Sequence, residues 1–177
     1  MPAEHDEEAL RGYIREHHEN GEYSVTASMG LQDTEYPEWL SCIRSNAGQG
    51  SREWGRSLLL LCIQEGRIVG LLSVRYELPS ALSARYGDIG YGVRPSERGK
   101  GYATQMLQHA LTVCREHGMR SIVAGCYKDN AASAAVLRKC GGVLTAENDH
   151  YSEGRISQYY RFYGPAGEPG NDKGEER

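Results

Sequence analysis

Gly90-Tyr91-Gly92-Val93-Arg94-Pro95-Ser96-Glu97-Arg98-Gly99-Lys100-Gly101-Tyr102-Ala103-Thr104 is the stretch on which the fold turns. It predicts a short strand, a polar Pro-Ser turn and the N-terminus of a helix in direct succession. Within the turn, Arg98 and Lys100 alternate with Gly99 and Gly101. Glycine lets a bulky anion approach the backbone and adopts dihedrals that other residues avoid. The first helical turn leaves its N–H groups unpaired, and the helix dipole adds positive charge there. Together these features predict a phosphate cradle.

The spacing decides which kind of cradle. A G-x-x-x-x-G-K-[ST] loop fails because Arg94 stands at its first glycine and Gly101 stands where Ser or Thr is needed. A G-x-G-x-x-G fingerprint fails twice, at Pro95 after Gly90 and Gly92 and at Thr104 after Gly99 and Gly101. The pattern that fits is Arg/Gln-x-x-Gly-x-Gly/Ala, met by Arg98, Gly101 and Ala103. In this strand-to-helix setting it resembles the acetyl-CoA-binding motif of the GNAT superfamily of N-acetyltransferases.

Outward from this stretch, apolar periodicity orders the rest of the chain. Helices are expected over residues 6–19, with His17 and His18 at the C-terminal end, and 35–43, with Pro37 in the first turn. Residues 46–51 read as a loop. Strands are expected at 58–63 and 68–76, joined by a hairpin turn at 64–67, and a third at 86–93; residues 79–84 read as a loop or short helix. After the cradle, Met106, Leu107, Ala110, Leu111 and Cys114 form the stripe of a helix packed on a sheet, ended by Gly118. A strand at 121–127, a helix at 131–139 and strands at 143–147 and 156–163 complete the order. Residues 164–177 have almost nothing to bury and are expected to form a disordered tail behind a single domain over 1–163.

The order α-α-β-β-β-α-β-α-β-β resembles the same superfamily over residues 5–163, most specifically over 86–142. A second family motif, Asn-x-x-Ala/Ser followed by a helix and Lys-x-Gly, is met by Asn130, Ser133, Lys139 and Gly141. Arg75-Tyr76-Glu77-Leu78, together with the stretches 90–96 and 128–133, also resembles a predicted-acetyltransferase subfamily of unassigned substrate. The resemblance implies an α/β (α+β) fold, a mixed and mostly antiparallel sheet of about six to seven strands flanked by about four helices.

It also implies an enzyme that moves an acetyl group from acetyl-CoA straight to a primary amine of a small molecule or peptide, with no covalent intermediate and no metal. Pantetheine would lie like an added strand against the backbone of Tyr91 and Val93. The pyrophosphate would meet Arg98, Gly99, Lys100, Gly101, Tyr102, Ala103 and Thr104, with Asn130 and Ser133 nearby. For the base, many relatives place a Glu where Gly87 stands, so Glu77 and then Asp88 are the candidates, directly or through water. Relatives' usual acidic Tyr is replaced by Leu137, and Tyr91 or Tyr127 would take its place. A non-catalytic acyl-CoA-binding module of the same fold is the alternative, favoured by Gly87 and Leu137.

Composition narrows the class. The 177 residues, 39% hydrophobic and 25% charged, are ordinary for a globular domain. A net charge of −4 argues against nucleic acid as a partner and fits a cationic acceptor, for which Glu35, Glu38, Asp88 and Asp149 are candidate contacts. No apolar run is long enough for a membrane span, and the acidic N-terminus lacks the apolar core of a signal peptide. Five cysteines without C-x-x-C spacing argue against a disulfide framework or zinc site, so a reducing cytoplasm is expected. Monomer and homodimer are both left open.

Overall fold

The structure, a computed structural model, describes residues 1–164. The expected tail beyond Gly164 lies outside the described residues.

Helix α1 (Glu7–Glu19) carries Glu7 and Glu8 in its first turn and His17 and His18 in its last, as the dipole favours. Leu10, Tyr13, Ile14 and His17 form its buried stripe. Helix α2 (Tyr36–Gly48) has Pro37 in its first turn and buries Tyr36, Trp39, Leu40 and Ile43. It runs on through Asn46-Ala47-Gly48, which was expected to be a loop, because the hydrogen-bonded ladder continues until Gln49 N–H closes on Ser45 O. Strands β1 (Ser57–Gln64) and β2 (Arg67–Arg75) pair antiparallel around Glu65 and Gly66. Both turn residues have positive φ, 50° and 76°, the conformation a two-residue hairpin with right-handed twist requires.

Helix α3 (Ser80–Tyr86) fills the stretch left as loop or short helix, and Gly87 (φ 73°) turns the chain out of it. Strand β3 (Ile89–Val93) therefore begins three residues later than the expected residue 86. Helix α4 (Tyr102–Glu116) follows the glycine turn, then β4 (Ser121–Tyr127), α5 (Ala131–Lys139), β5 (Val143–Asn148) and β6 (Ser157–Tyr163).

The six strands form one sheet in the order β1-β2-β3-β4-β6-β5, antiparallel throughout except for β3 beside β4. Five α-helices flank it among the described residues, one more than expected because α3 is helical. Strand side chains alternate between faces. Leu72, Val74, Ile89, Ile122, Ala124, Tyr160 and Phe162 pack under α4 and α5 on one face. Leu59, Ile68 and Leu71 pack under α1 and α2 on the other.

The site is positioned by what β3 and β4 fail to do. They share one register pair, Ile89 with Ala124, and then diverge. Beyond it, β3 keeps its pairing to β2 as far as Val93 opposite Gly70, and β4 keeps its pairing to β6. One edge of each strand is thus left open toward the other.

Candidate active site

Arg94 N–H donates to Val69 O at 2.8 Å. Because antiparallel pairing alternates, Gly92 and Gly90 face β2, and the N–H and C=O of Tyr91 and Val93 face the open gap. Val93 O accepts a bond from Arg98 Nε at 3.2 Å. Just beyond, Gly99 and Gly101 have φ of 77° and 87°, and a Cβ on either would meet nothing within 4 Å. Thr104 N–H is the first of the helix to find a backbone acceptor, Gly101 O at 3.1 Å. The N–H groups of Gly99, Lys100, Gly101, Tyr102 and Ala103 have no such partner among the described residues. A backbone with open space and unpaired donors fits a pyrophosphate.

A cavity of about 470 Å³ lies over this turn. It brings together Tyr91, Val93, Arg98, Gly99, Gly101, Tyr102, Ala103, Thr104, Asn130 and Ser133, so all but one of the expected cofactor contacts share it. Lys100 does not line it; its ammonium pairs with Glu97 at 2.8 Å. Asn130 caps α5, accepting from Ser133 N–H at 3.0 Å, and lines the cavity as well.

His17 and Glu22 also line this cavity, which their sequence positions did not reveal. Arg98 grips Glu22 through two bonds of 2.6 Å, and His17 Nδ1 meets Glu22 at 2.7 Å. Arg98 is the chief reason that the Glu22 carboxyl is held down at about 2. Burial pushes the His17 imidazole below its usual range, against the pull of Glu22. Arg98 is thus poised at the cleft by a carboxylate that competes with any incoming anion.

A second cavity, about 320 Å³, opens on the other side of the gap. It shares Thr26, Tyr91, Asn130 and Ser133 with the first. At the junction the hydroxyls of Tyr91 and Ser133 are 2.8 Å apart. Burial raises the Tyr91 phenol to about 12, so it keeps its proton at neutral pH. The remaining walls are largely aromatic: Trp54, Tyr86, Tyr127, Tyr151 and Tyr159, with Arg75 and Arg85. Helix α3 supplies Arg85 and Tyr86, and Tyr159 OH ties β6 to it by donating to Arg85 O at 2.8 Å.

The geometry moves both candidate carboxylates away from the junction. Glu77 lines neither cavity and is held in an exposed ion pair with Arg56. Asp88 is 2% exposed, and its Oδ2 accepts Val123 N–H at 2.7 Å. No register shift breaks the β2–β3 pairing, so nothing turns Asp88 onto the face of Tyr91. Burial raises its carboxyl above the usual range. Leu137 is wholly buried under the sheet, away from both cavities. Glu35, Glu38 and Asp149 likewise line neither cavity, so the contacts expected for a cationic acceptor are not assembled. Among the described residues no cluster of three or more His, Cys, Asp or Glu is arranged to hold a metal ion, and no helix is long and apolar enough to cross a membrane.

Comparison with known proteins agrees with this geometry. Among solved structures, RimJ of Mycobacterium smegmatis in complex with CoA-disulfide is similar, with TM-score 0.68 and 24% identity over 89% of this chain and 78% of that one. RimL, a ribosomal L7/L12 alpha-N-protein acetyltransferase in complex with coenzyme A, gives 0.66 at 22% identity, covering 92% of this chain and 90% of its own. The microcin C7 self-immunity acetyltransferase MccE, in complex with acetyl-CoA and AMP, gives 0.66 at 20%, covering 92% and 89%. No curated protein sequence matches significantly. The family model of the GNAT acetyltransferases matches residues 10–142, and with its sheet opened above a glycine turn the chain belongs to that family.

Proposed function

We propose that this protein transfers an acetyl group directly from acetyl-CoA to a primary amine, the α-amino group of a small molecule or peptide. The observation that carries the reading is the meeting of two cavities at the Tyr91–Ser133 hydroxyl pair, one over the glycine turn and one open to an acceptor. Acetyl-CoA supplies a thioester carbonyl ready for attack by an amine.

The chain's own residues divide the remaining work. The glycine turn and Arg98 bind the pyrophosphate by backbone and charge-assisted bonds. The gap-facing N–H of Tyr91 or Val93 orients and polarises the carbonyl, as an oxyanion hole does. Tyr91 Oη, still protonated at neutral pH, donates its proton toward the departing sulfur. A thiol of pKa about 8.5 also leaves tolerably as thiolate, so this proton assists rather than decides.

The choice of an α-amine follows from proton bookkeeping. Among the described residues the acceptor cavity has no carboxylate in its lining. The α-amino group of a peptide has a pKa of about 7.7–8.0, so a substantial fraction is neutral near pH 7.5, whereas a lysine amine at about 10.4 is almost wholly charged. An α-amine can therefore attack without a dedicated base, and the proton its nitrogen sheds on forming the amide passes through water to restore the Tyr91 phenol. The similar structure RimL is described as an α-N-protein acetyltransferase, which accords with this choice.

The missing carboxylate is also what favours the rival reading, a non-catalytic acyl-CoA binder. Release of free thiol from acetyl-CoA, followed across a panel of peptide α-amines and lysine-type amines at pH 7.5, separates the two. Turnover with α-amines above the hydrolysis background is expected. Bound acetyl-CoA with no amine-dependent release from any member of the panel would leave only the binder.

A further inference from the structure

The acceptor cavity holds two guanidinium groups that the mechanism does not use. Arg75 reaches it from the end of β2, half-buried, with Nη1 donating to Gly87 O at 2.8 Å. Its Nη2 lies beside β3, 3.6 Å from where a Cβ on Gly90 would stand, one residue before Tyr91. Neither Nη2 nor Nε has a hydrogen-bond partner among the described residues. The carboxylate that acts on Arg75, that of Asp88, has an oxygen committed to Val123 N–H. Arg85 lies over the Tyr86 ring, its Cζ 5.2 Å from the centroid, and forms no ion pair with a described carboxylate. The rings run on from there, with Trp54 5.0 Å and Tyr151 6.0 Å from Tyr86.

Two cations in one concave, aromatic-walled space repel each other and any ammonium brought in beside them. An anion reverses that sign, and guanidinium forks match the planar oxygens of carboxylate and phosphate. Flat rings have the walls to pack on. Resting on the acetyl-transfer reading above, we propose that the acceptor is an α-amine that also carries an anionic group, carboxylate or phosphate, beside an aromatic ring. Arg75 and Arg85 are its specificity-determining pair. This reverses the cationic acceptor that the overall net charge suggested: the charge of the cavity, not of the chain, governs the choice.

The test is titration into protein saturated with CoA, using the dipeptide Ala-Phe, its C-terminal amide, the amide of Ala-phosphotyrosine, and Ala-Lys amide. The α-amine is constant across the set, and the anion, the ring and, in Ala-Lys amide, a side-chain cation differ. At least one anionic probe should bind about ten-fold tighter than Ala-Phe amide, as expected for one charge-assisted bond gained. The better of the two identifies carboxylate or phosphate as the source. Arg85→Gln, whose side chain is exposed, should cut that preference at least about three-fold, lowering affinity for the anionic probe more than for Ala-Phe amide. Arg75→Lys serves as the second variant, keeping charge but losing the fork.

Equal affinity for the anionic and amide probes, or tighter binding of Ala-Lys amide, would overturn the proposal. So would an Arg85→Gln protein that loses affinity for all probes alike. Thiol release is read in parallel: an arginine-dependent anion preference with no turnover would support the anion site and count against the transfer reading instead.

Discussion

In the proposed mechanism Tyr91 concentrates the chemistry of this site in one residue. Its backbone faces the gap and its hydroxyl, 2.8 Å from Ser133 Oγ, sits where donor and acceptor cavities meet. Tyr91→Phe keeps the ring and removes the proton, so kcat should fall about ten-fold, less than the roughly hundred-fold or more usual for an acid, because the thiol leaves easily. The KM for acetyl-CoA should stay within about two-fold, which a steady-state assay reads. Glu77→Gln should leave kcat within about two-fold, since Glu77 is turned outward to Arg56. A hundred-fold loss there would restore Glu77 as the base. The glycine-turn cavity was legible in the sequence because Arg98, Gly99, Gly101 and Thr104 are close neighbours in the chain, where spacing alone carries the geometry. The acceptor side was not, because Trp54, Arg75, Arg85, Tyr127 and Tyr159 come from five separate stretches and meet only once the sheet has formed.

Among the elements, α1 and the loop after it do more than pack. Glu16 accepts Arg94 Nη1 at 2.7 Å and Ser96 N–H at 2.9 Å, pinning α1 to the turn that leads into the cradle. Desolvation alone would raise the Glu16 carboxyl, but the bonds from Arg94 and Ser96 outweigh it and hold the group at about 2, below its ordinary 4.5. A depressed carboxyl stabilises the fold above its unfolded pKa and loses that contribution as pH falls through the folded value. The stability from this pair is thus complete above pH 4.5 and is lost on the way down to about 2. Glu16→Gln should lower stability near neutral pH by about 2–3 kcal/mol and flatten its dependence between those two limits, as urea denaturation at several pH values would show. The pairing was invisible in the sequence, where Glu16 and Arg94 are 78 residues apart. Element identities were readable except at α3, left open between loop and short helix, and two boundaries were displaced. Asn46 and Gly48 are poor helix formers that the packed face of α2 overrides, and Tyr86 looked like strand until Gly87 placed it at the end of α3.

At the scale of the whole molecule, the sheet is covered by α4 and α5 on one face and, over β1 and β2, by α1 and α2 on the other, and it opens at one seam. The sealing is tight where α4 crosses β2: a Cβ on Gly70 would stand 2.7 Å from Met106 Sδ and 2.8 Å from Gly92 O. Gly70→Ala should therefore cost about 1–3 kcal/mol, a fall in Tm of several degrees by calorimetry. The seam between β3 and β4, by contrast, has space for a donor along the backbone of Tyr91 and Val93 and for its pyrophosphate on the glycine turn. Calorimetric titration of acetyl-CoA into the wild type, Gly101→Ala and Gly101→Glu tests that claim most directly. At φ 87° both substitutions carry the same backbone strain, about 1–2 kcal/mol, but only glutamate puts a carboxylate where the pyrophosphate would lie. Micromolar binding by the wild type, kept within about ten-fold by Gly101→Ala and abolished in a folded Gly101→Glu protein, is the predicted result. A folded wild type that does not bind acetyl-CoA, or a Gly101→Glu protein that binds it undiminished, would contradict the account.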